Sequence, residues 1–353
     1  MGSGFKSRGV HESPKTSHEF GAFTNLWQIR FMTDSNTFAA MTVEQQIESL
    51  GRCVEQILNQ YPIGNFTTES INHEFNSTFK VKADGGQKYA LRINVNSTRS
   101  LANLNAEIFW VNSITQVSVP KPAPNLDGEF VTSGWHEASG RTLTAVLYSW
   151  LDGTEPGDDP TLEQLRAAGA AMAVLHQSSN DLVFEPGAEL PDLSDFLWGT
   201  KDMLLSPESS LSSQEQELVA GAKSAVEETL AKLQANSAKQ PIHADLHPWN
   251  MMWNAGKLSV FDFDDSGIGL PVQDLATSLY YLDTQEQDQA FLEGYAAVRT
   301  LPTYTPDQMK LLLLQRRILL LNYLHETSHP DHKAMIPDYQ SETMSRIKQQ
   351  LSI

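Results

Sequence analysis

Two neighbouring stretches, His243-Ala-Asp-Leu-His-Pro-Trp-Asn250 and Val260-Phe-Asp-Phe-Asp-Asp265, decide the fold of this chain. The first contains a proline and has no helical period of apolar residues, which predicts a loop, whereas the second begins as a short buried strand. A hairpin between them would bring Asp245, Asn250 and Asp262 to one end of a small sheet. Carboxylate and amide oxygens suit Mg²⁺ better than zinc. We therefore predict a magnesium site with Asn250 and Asp262 as ligands.

A third motif, Pro271-Val-Gln-Asp-Leu-Ala276, follows shortly afterwards. In this order the three motifs resemble those of the aminoglycoside phosphotransferase and choline kinase family. Protein kinases differ, because they have Arg where this sequence has Ala244 and Gly where it has Asp264. The resemblance extends over about residues 65–300, and three linked motifs are far more specific than any one of them.

The resemblance implies an α+β fold of the protein-kinase-like type, with two lobes. The N-lobe would hold a small mixed β-sheet, and the larger C-lobe would be mostly helical. The protein would use ATP and Mg²⁺ to phosphorylate a hydroxyl group. In that reaction Asp245 would accept or orient the hydroxyl, while Asn250 and Asp262 would hold the metal.

Other polar residues of the C-lobe have expected supporting roles. His176 and His243 would be structural, and Asp274 would cap its helix and accept hydrogen bonds from the catalytic loop. His247 would lie on the substrate side. The pair Asp264-Asp265 would face either a second metal or a cationic substrate.

Arg92 is the candidate for contact with the phosphates of ATP. It lies in a predicted strand after the turn Asp84-Gly85-Gly86, where the family has a phosphate-contacting Lys or Arg. A guanidinium group stays charged and binds phosphate oxygens in pairs. Glu107, in the following predicted helix, would hold Arg92 in an ion pair; an ordinary surface pair is the alternative.

Asn76, Ser77 and Thr78 replace the glycine-rich phosphate loop of protein kinases. They would bind phosphate through backbone N–H groups and side chains, or form an Asx or Ser/Thr turn. The adenine would lie between the lobes, against the segment from Val146 to Trp150.

The distribution of periodic patterns divides the chain into three parts. We predict an extension at 1–40, a nucleotide-binding N-lobe at 41–150, and a catalytic and substrate-binding C-lobe at 151–353. Helices are predicted at 42–58, 98–114, 162–176, 210–235, 274–298, 306–327 and 339–352, and strands at 66–69, 78–83, 88–95, 129–135 and 141–150.

Composition excludes several classes of protein. The formal net charge of −18, without a basic stripe, disfavours binding to nucleic acids or anionic membranes, although it would attract a cationic substrate. The start of the chain lacks the apolar core of a signal peptide. The longest apolar stretch, 311–321, is interrupted by Gln315-Arg-Arg317, which predicts a buried helix and not a membrane span. Cys53 is the single cysteine, so we expect a cytoplasmic protein without an intrachain disulfide.

The sequence leaves the phosphate acceptor open. An aminoglycoside-, choline- or homoserine-like small molecule is the leading possibility. The motif Asp262-Phe-Asp-Asp265 also resembles a bacterial stress-response Ser/Thr protein kinase, and a non-catalytic nucleotide-binding pseudokinase is a further alternative. Five aromatic residues would form a cage for a quaternary ammonium group or belong to the core: Trp198, Tyr280, Tyr281, Tyr295 and Tyr323.

Overall fold

The computed structural model describes residues 38–97, 99–327 and 330–352. Most of the predicted extension, residues 1–37, lies outside this part, and Phe38–Ala40 form a short 3₁₀ turn in which Phe38 is buried. Within the described ranges, no helix has the length and apolar character needed to cross a membrane.

A five-stranded antiparallel sheet forms the first half of the molecule. Its strands are β1 (Phe66–His73), β2 (Asn76–Ala83), β3 (Lys88–Asn94), β4 (Val131–His136) and β5 (Arg141–Ser149), in the order β1-β2-β3-β5-β4. The predicted α+β fold with a small sheet and a mostly helical second part is confirmed, but every neighbouring pair of strands runs antiparallel, so the sheet is not mixed. The reason is the connection after β3, which carries the chain to the far edge of the sheet. The hairpin β4–β5 then returns β5 antiparallel to β3.

Helices surround this sheet and make up most of the rest of the chain. The first three are α1 (Val43–Ser49), α2 (Gly51–Leu58) and α3 (Leu101–Ser113). After the sheet come α4 (Leu162–Ser178), α5 (Ser213–Gln234), α6 (Pro271–Tyr280), α7 (Gln285–Ala296), α8 (Pro306–Glu326), α9 (Pro330–Ala334) and α10 (Ile336–Leu351). Two small antiparallel pairs lie between α5 and α6, namely β6 (Gln240–Ile242) with β9 (Gly267–Gly269), and β7 (Met251–Asn254) with β8 (Lys257–Val260).

Two predicted helices are each divided in the structure. The helix expected at 42–58 breaks at Leu50 into α1 and α2. The helix expected at 274–298 is wrong as a single unit, because Thr284 is extended and its side chain accepts a hydrogen bond from the backbone N–H of Gln287. This capping box starts α7 as a new helix. The predicted lobe boundary near residue 150 stays a prediction, although β5 ends at Ser149 and helices dominate afterwards.

One face of the sheet packs against a hydrophobic core, and the other face lines a cavity. Side chains alternate between the two faces of a strand, and the register pairs Phe79 with Leu91 and Leu91 with Leu147. These residues pack with Cys53 and Ile57 of α2 in one buried cluster. Cys53 therefore acts as a small apolar core group. The opposite face of the same strands carries the polar residues Thr78 and Arg92 together with Ala90 and Tyr148.

Helices α4 and α7 pack with their backbones in close contact. A Cβ atom added at Gly169 of α4 would lie 1.9 Å from the carbonyl oxygen of Phe291, and one added at Gly294 of α7 would lie 1.9 Å from that of Arg166. Both obstacles are backbone atoms, so the contact cannot be relieved by a change of rotamer. The two glycines therefore set the distance between these helices.

We predict that Gly169→Ala or Gly294→Ala lowers the free energy of unfolding by roughly 3 kcal/mol, because the helices must separate to admit the methyl group. Urea denaturation measures this change. Gly51→Ala is the control, since no atom lies within 4 Å of its added Cβ, and it should change stability by less than about 0.5 kcal/mol. Equal effects of all three substitutions would contradict the close-contact explanation.

Candidate active site

The loop from His243 to Asn250 is held by the buried carboxylate of Asp274, in the first turn of α6. Its Oδ2 accepts the backbone N–H of His243 at 3.0 Å, and its Oδ1 accepts that of Ala244 at 2.8 Å. His176 Nε2, on α4, lies 2.8 Å from Oδ2. His176 is thus structural, as predicted, and Asp274 accepts hydrogen bonds from the loop, also as predicted.

Asp274 keeps its negative charge although it is buried. Burial raises the pKa of this carboxyl, but the hydrogen bond and charge of His176, together with the N–H of Ala244, outweigh it and hold the pKa below its ordinary value. Ala244 has φ 66°, a conformation that few non-glycine residues adopt. The predicted capping role of Asp274 is wrong, because the N-cap of α6 is Leu270, whose backbone N–H donates to the side chain of Gln273 at 2.8 Å.

His243 braces the same loop from inside, as the sequence predicted. Its Nε2 donates to the carbonyl of Phe261 at 3.0 Å, and its Nδ1 accepts the backbone N–H of Asp245 at 3.3 Å. Burial lowers the pKa of this histidine, so the neutral ring is favoured. The ring thereby links the catalytic loop to the strand that precedes Asp262.

Asp245 lies at the centre of a buried polar network and is only 1% exposed. Its Oδ2 accepts a hydrogen bond from Asn250 Nδ2 at 2.9 Å and lies 3.3 Å from His247 Nε2. Its Oδ1 forms an ion pair with Arg316 Nη2 on α8. Burial raises the pKa of Asp245, but His247 and Arg316 outweigh burial and lower it below its ordinary value.

Asn250 and Asp262, the predicted metal ligands, line a cavity that lies between the sheet and the C-lobe. Asp262 has φ 62°, a conformation that costs energy for a non-glycine residue and is concentrated at functional sites. Burial, and then the charge of Asp264, raise the pKa of Asp262 well above its ordinary value. No side-chain hydrogen bond to Asp262 is formed within the described ranges. A carboxylate in this position favours a cation as its partner.

Arg92 contacts Glu107 and Asp264 on the sheet side of the cavity. Its Nη2 lies 2.7 Å from Glu107 Oε2, and its Nη1 lies 3.7 Å from Asp264 Oδ1. The hydroxyl of Tyr148 donates to Glu107 Oε1 at 2.8 Å. Arg92 is 8% exposed and Glu107 is 4% exposed. The predicted ion pair is therefore present. Because both residues are buried, the alternative of an ordinary surface pair is wrong.

Asn76 and Thr78 face the cavity, whereas Ser77 does not. All three lie in β2 and not in a loop, and the register pairs Thr78 with Arg92. Asn76 Nδ2 donates to Asp264 Oδ2 at 2.9 Å and so joins the sheet to the C-lobe. The side chain of Ser77 is buried on the other face and lies 2.6 Å from His73 Nδ1. Strand alternation thus separates Ser77 from its neighbours.

A cavity of about 470 Å³ lies between the sheet and the C-lobe. This volume falls in the range of small-molecule and cofactor sites. Both lobes supply apolar as well as polar lining residues. The apolar group includes Ile71, Ala90, Val111, Tyr148, Trp150 and Leu151, and the polar group includes Asn76, Thr78, Arg92, Glu107, Asn250 and Asp262.

The turn between β1 and β2 is anchored in the C-lobe. The ring of Phe75 belongs to the large C-lobe core and contacts Tyr323 of α8, with ring centroids 5.7 Å apart. Asn96 donates its backbone N–H to the carbonyl of Phe75 at 2.8 Å. The neighbouring Glu74 has an Oε2 without a hydrogen-bond partner in the part of the chain that the structure describes. Burial raises the pKa of Glu74 to about 7.

Arg316 and the polar role of Tyr148 were not predicted from the sequence. The signal for Arg316 was the interruption of an apolar helix by Gln315-Arg-Arg317, because charged residues inside such a helix are buried only with partners. All three are at most 2% exposed. Tyr148 lay in the segment expected near adenine, but only the fold brings its hydroxyl to Glu107.

The aromatic cage proposed from the sequence is not formed by its five members. Among the described ring contacts, only Tyr280 and Tyr281 touch each other within this set. The hydroxyl of Tyr295 lies 2.9 Å from His176, and Tyr323 packs on Phe75. These side chains serve different parts of the C-lobe core.

An antiparallel sheet joined to a helical lobe, with an acidic loop and a buried Arg–Glu pair around one cavity, defines a kinase-like phosphotransferase. The model of the phosphotransferase enzyme family matches residues 67–312. The chain belongs to this family. It is therefore an enzyme, a kinase with an alcohol group as acceptor, as the sequence predicted.

Individual relatives agree with this assignment. Amicoumacin kinase of Bacillus subtilis (strain 168) is 27% identical over 266 residues, which cover 68% of this chain and 74% of the relative. A microcompartment-associated aminopropanol kinase has a similar structure, with a TM-score of 0.71 and 22% identity over 85% of this chain and 97% of its own. An amicoumacin kinase in complex with AMP-PNP, Ca²⁺ and Ami has a TM-score of 0.68 and 22% identity over 87% and 95%. The two structures support the same fold.

We predict that Asp274→Ala lowers the free energy of unfolding by roughly 3 kcal/mol at pH 7, because three donors lose their partner. The folded pKa of Asp274 lies below its ordinary value, so its contribution is complete above that value and is lost as the pH falls through the folded pKa. Urea denaturation from pH 7 to pH 3 should show the difference from wild type shrinking with acid. Glu163→Ala, at an exposed site in α4, is the control. A difference that does not depend on pH would contradict the ionised brace.

We predict that Glu74→Gln stabilises the protein at pH 8 by roughly 1–3 kcal/mol and has little effect at pH 4. The pKa of Glu74 in the folded protein is about 7, above its ordinary value of 4.5. The charged carboxylate therefore destabilises the folded state increasingly as the pH rises from 4.5 to 7, and this destabilisation is complete above pH 7. Thermal unfolding at both pH values measures the effect. Glu69→Gln, at an exposed site in β1, is the control. Stabilisation of the same size at both pH values would show that burial of the charge is not the cause.

Proposed function

We propose that this protein transfers the γ-phosphoryl group of ATP, with Mg²⁺, to a hydroxyl group of a small molecule. One observation carries the proposal. A single cavity is lined by a buried arginine from the sheet and by Asn250 and Asp262 from the C-lobe, with Asp245 bonded to Asn250. Phosphoryl transfer depends mainly on positioning and charge neutralisation, which such a set can provide.

The nucleotide would occupy the cavity along the sheet. Its base would lie against apolar groups such as Ile71 and Ala90, near the segment that begins at Tyr148. Its phosphates would contact Arg92 and, on the same face of β2, Thr78. AMP-PNP in the solved structure of an amicoumacin kinase supports a nucleotide as the ligand. The N-lobe at 41–150 would thus bind nucleotide, and the C-lobe at 151–353 would supply catalysis and the acceptor site.

The donor set fits a hard divalent cation. Asp262 offers a carboxylate that lines the cavity, that has no side-chain hydrogen bond within the described ranges, and whose pKa burial raises. Asn250 uses its Nδ2 to bind Asp245, which leaves its Oδ1 for a metal. Oxygen-only ligands select Mg²⁺ or Ca²⁺ over zinc. When bound, the ion would neutralise charge on the phosphates.

Asp245 would orient the acceptor hydroxyl and take its proton. A bond would form between the acceptor oxygen and the γ-phosphorus, while the bond from that phosphorus to the leaving oxygen of ADP breaks. The proton would move to the Asp245 carboxylate and then to solvent. Arg92 would bind the phosphates throughout, held in place by Glu107.

Burial of Asp245 favours a small acceptor over a protein. Its carboxylate is 1% exposed, and it does not line the cavity itself but contacts Asn250, which does. A serine or threonine of a protein substrate could reach this carboxylate only if its backbone also entered the site. A small molecule would need only to fit beside the carboxylate. A stress-response type of protein kinase is therefore the second choice.

We predict that Asp245→Asn reduces ATP-dependent phosphorylation by about 10³-fold, because the amide cannot accept the proton. The side chain keeps its shape, so stabilisation by ATP and Mg²⁺ in a thermal shift experiment should remain. Turnover is measured as ADP release with a panel of aminoglycosides and amino alcohols.

Asp127→Asn is the matched control, because Asp127 is exposed and does not line the cavity, and this variant should retain full turnover. Wild-type turnover in Asp245→Asn would disprove the assigned role. Loss of stabilisation by ATP and Mg²⁺ in this variant would instead assign Asp245 to nucleotide binding.

A further inference from the structure

Two adjacent arginines of α8 have different surroundings. Arg317 uses all of its nitrogens, through Thr343, Tyr280 and Glu342, and its guanidinium lies over the ring of Tyr339. Such a set of contacts joins α8 to α10 and is sufficient to explain a buried arginine. Arg317 is therefore structural.

Arg316 is 1% exposed but is only partly satisfied. Its Nη2 binds Asp245 and donates to the hydroxyl of Tyr281 at 2.7 Å. Its Nε and Nη1 have no hydrogen-bond partner in the part of the chain that the structure describes. A buried N–H group without a partner costs about 1–3 kcal/mol. A residue that serves packing alone would not carry two such groups beside the catalytic carboxylate.

The two oxygens of Asp245 face different parts of the site. Oδ2 binds Asn250, which lines the nucleotide cavity, whereas Oδ1 binds Arg316. In the proposed function the metal and the phosphates would occupy the side of Asn250, which lines the cavity. The acceptor would then approach the carboxylate from the side of Arg316, whose Nε and Nη1 have no hydrogen-bond partner in the described part of the chain.

We propose that the acceptor carries a second oxygen, a hydroxyl or a carbonyl, on the carbon next to its reacting hydroxyl, and that Arg316 binds this oxygen. This inference rests on the proposed phosphotransferase function. The nitrogens of a guanidinium share one carbon, so a group bound by Nη1 or Nε lies within a bond or two of the hydroxyl that Asp245 orients.

The chemistry of Arg316 separates the candidate acceptors. A guanidinium only donates hydrogen bonds and stays charged. It therefore donates to a neighbouring oxygen but offers no acceptor to a neighbouring ammonium, which is itself only a donor. Since its charge is already balanced by Asp245, an uncharged oxygen is the better match than a carboxylate. Vicinal diols, as in sugars and cyclitols, satisfy this requirement, whereas choline-like amino alcohols do not.

The test compares matched acceptors with the purified full-length protein and ATP plus Mg²⁺. The pairs are 1,2-propanediol with 1-amino-2-propanol, and trans-1,2-cyclohexanediol with trans-2-aminocyclohexanol. We expect kcat/KM to be at least about tenfold higher for each diol, the value of one charge-assisted hydrogen bond. In Arg316→Met the KM for the diol should rise by about tenfold and the preference should vanish, with the KM for ATP unchanged.

Arg317→Met is the matched control, and it should lower the melting temperature but keep the preference for diols. If Arg316→Met does not fold, Arg316→Lys answers the same question, because it keeps the charge but lacks the fork of donors. The inference would be overturned if the enzyme phosphorylated the diol and the amino alcohol of a pair equally well. It would also be overturned if the enzyme phosphorylated only the amino alcohols, or none of the four compounds. In each of these cases ATP hydrolysis that is lost in Asp245→Asn would still support the proposed function.

Discussion

The site depends on one buried carboxylate that does not line the cavity. Asp274 joins three separate parts of the C-lobe: α6, which carries it; α4, through His176; and the catalytic loop, through the N–H groups of His243 and Ala244. A buried negative charge is costly unless donors surround it, so those donors must be in place whenever the lobe is folded. The left-handed backbone at Ala244 is maintained by the same requirement, and it aims the next side chain, Asp245, toward α8 and Asn250.

Charge organises the opposite wall of the cavity in the same manner. Arg92 is buried between Glu107 and Asp264, so one cation is shared by carboxylates from both lobes. Asp262 and Asp264 follow each other closely, and their mutual repulsion contributes to the raised pKa of Asp262. The site therefore holds an excess of negative charge before any ligand binds. In the proposed function a divalent cation would reduce this excess, and the phosphates of a nucleotide could then enter.

Motifs predicted which residues of the loop and the following strand lie together, because that arrangement depends on residue type and spacing within about 35 residues. Their catalytic and metal-binding roles stay predictions. His243, Asp245, Asn250 and Asp262 were all identified from that short stretch. The face on which each residue lies was not predicted, because Asn76 and Ser77 were not expected to belong to a strand. Both lie in β2, so Ser77 alternates with Asn76 and Thr78 and turns away from the cavity. Arg316 was also missed, because its partner is 71 residues distant in the chain and no local pattern records such a contact. The sheet was expected in the right place but with the wrong strand directions, since short strands carry no signal for parallel or antiparallel pairing.

The anchored turn between β1 and β2 has a consequence for the order of events in each reaction cycle. Phe75 is held in the C-lobe core and Asn76 is bonded to Asp264, so this turn cannot lift as a free flap over the phosphates. Ile71, which lines the cavity and is 51% exposed, marks a side where the cavity meets solvent. Nucleotide would enter and leave past this residue, base last in and first out, while the phosphate end stays enclosed.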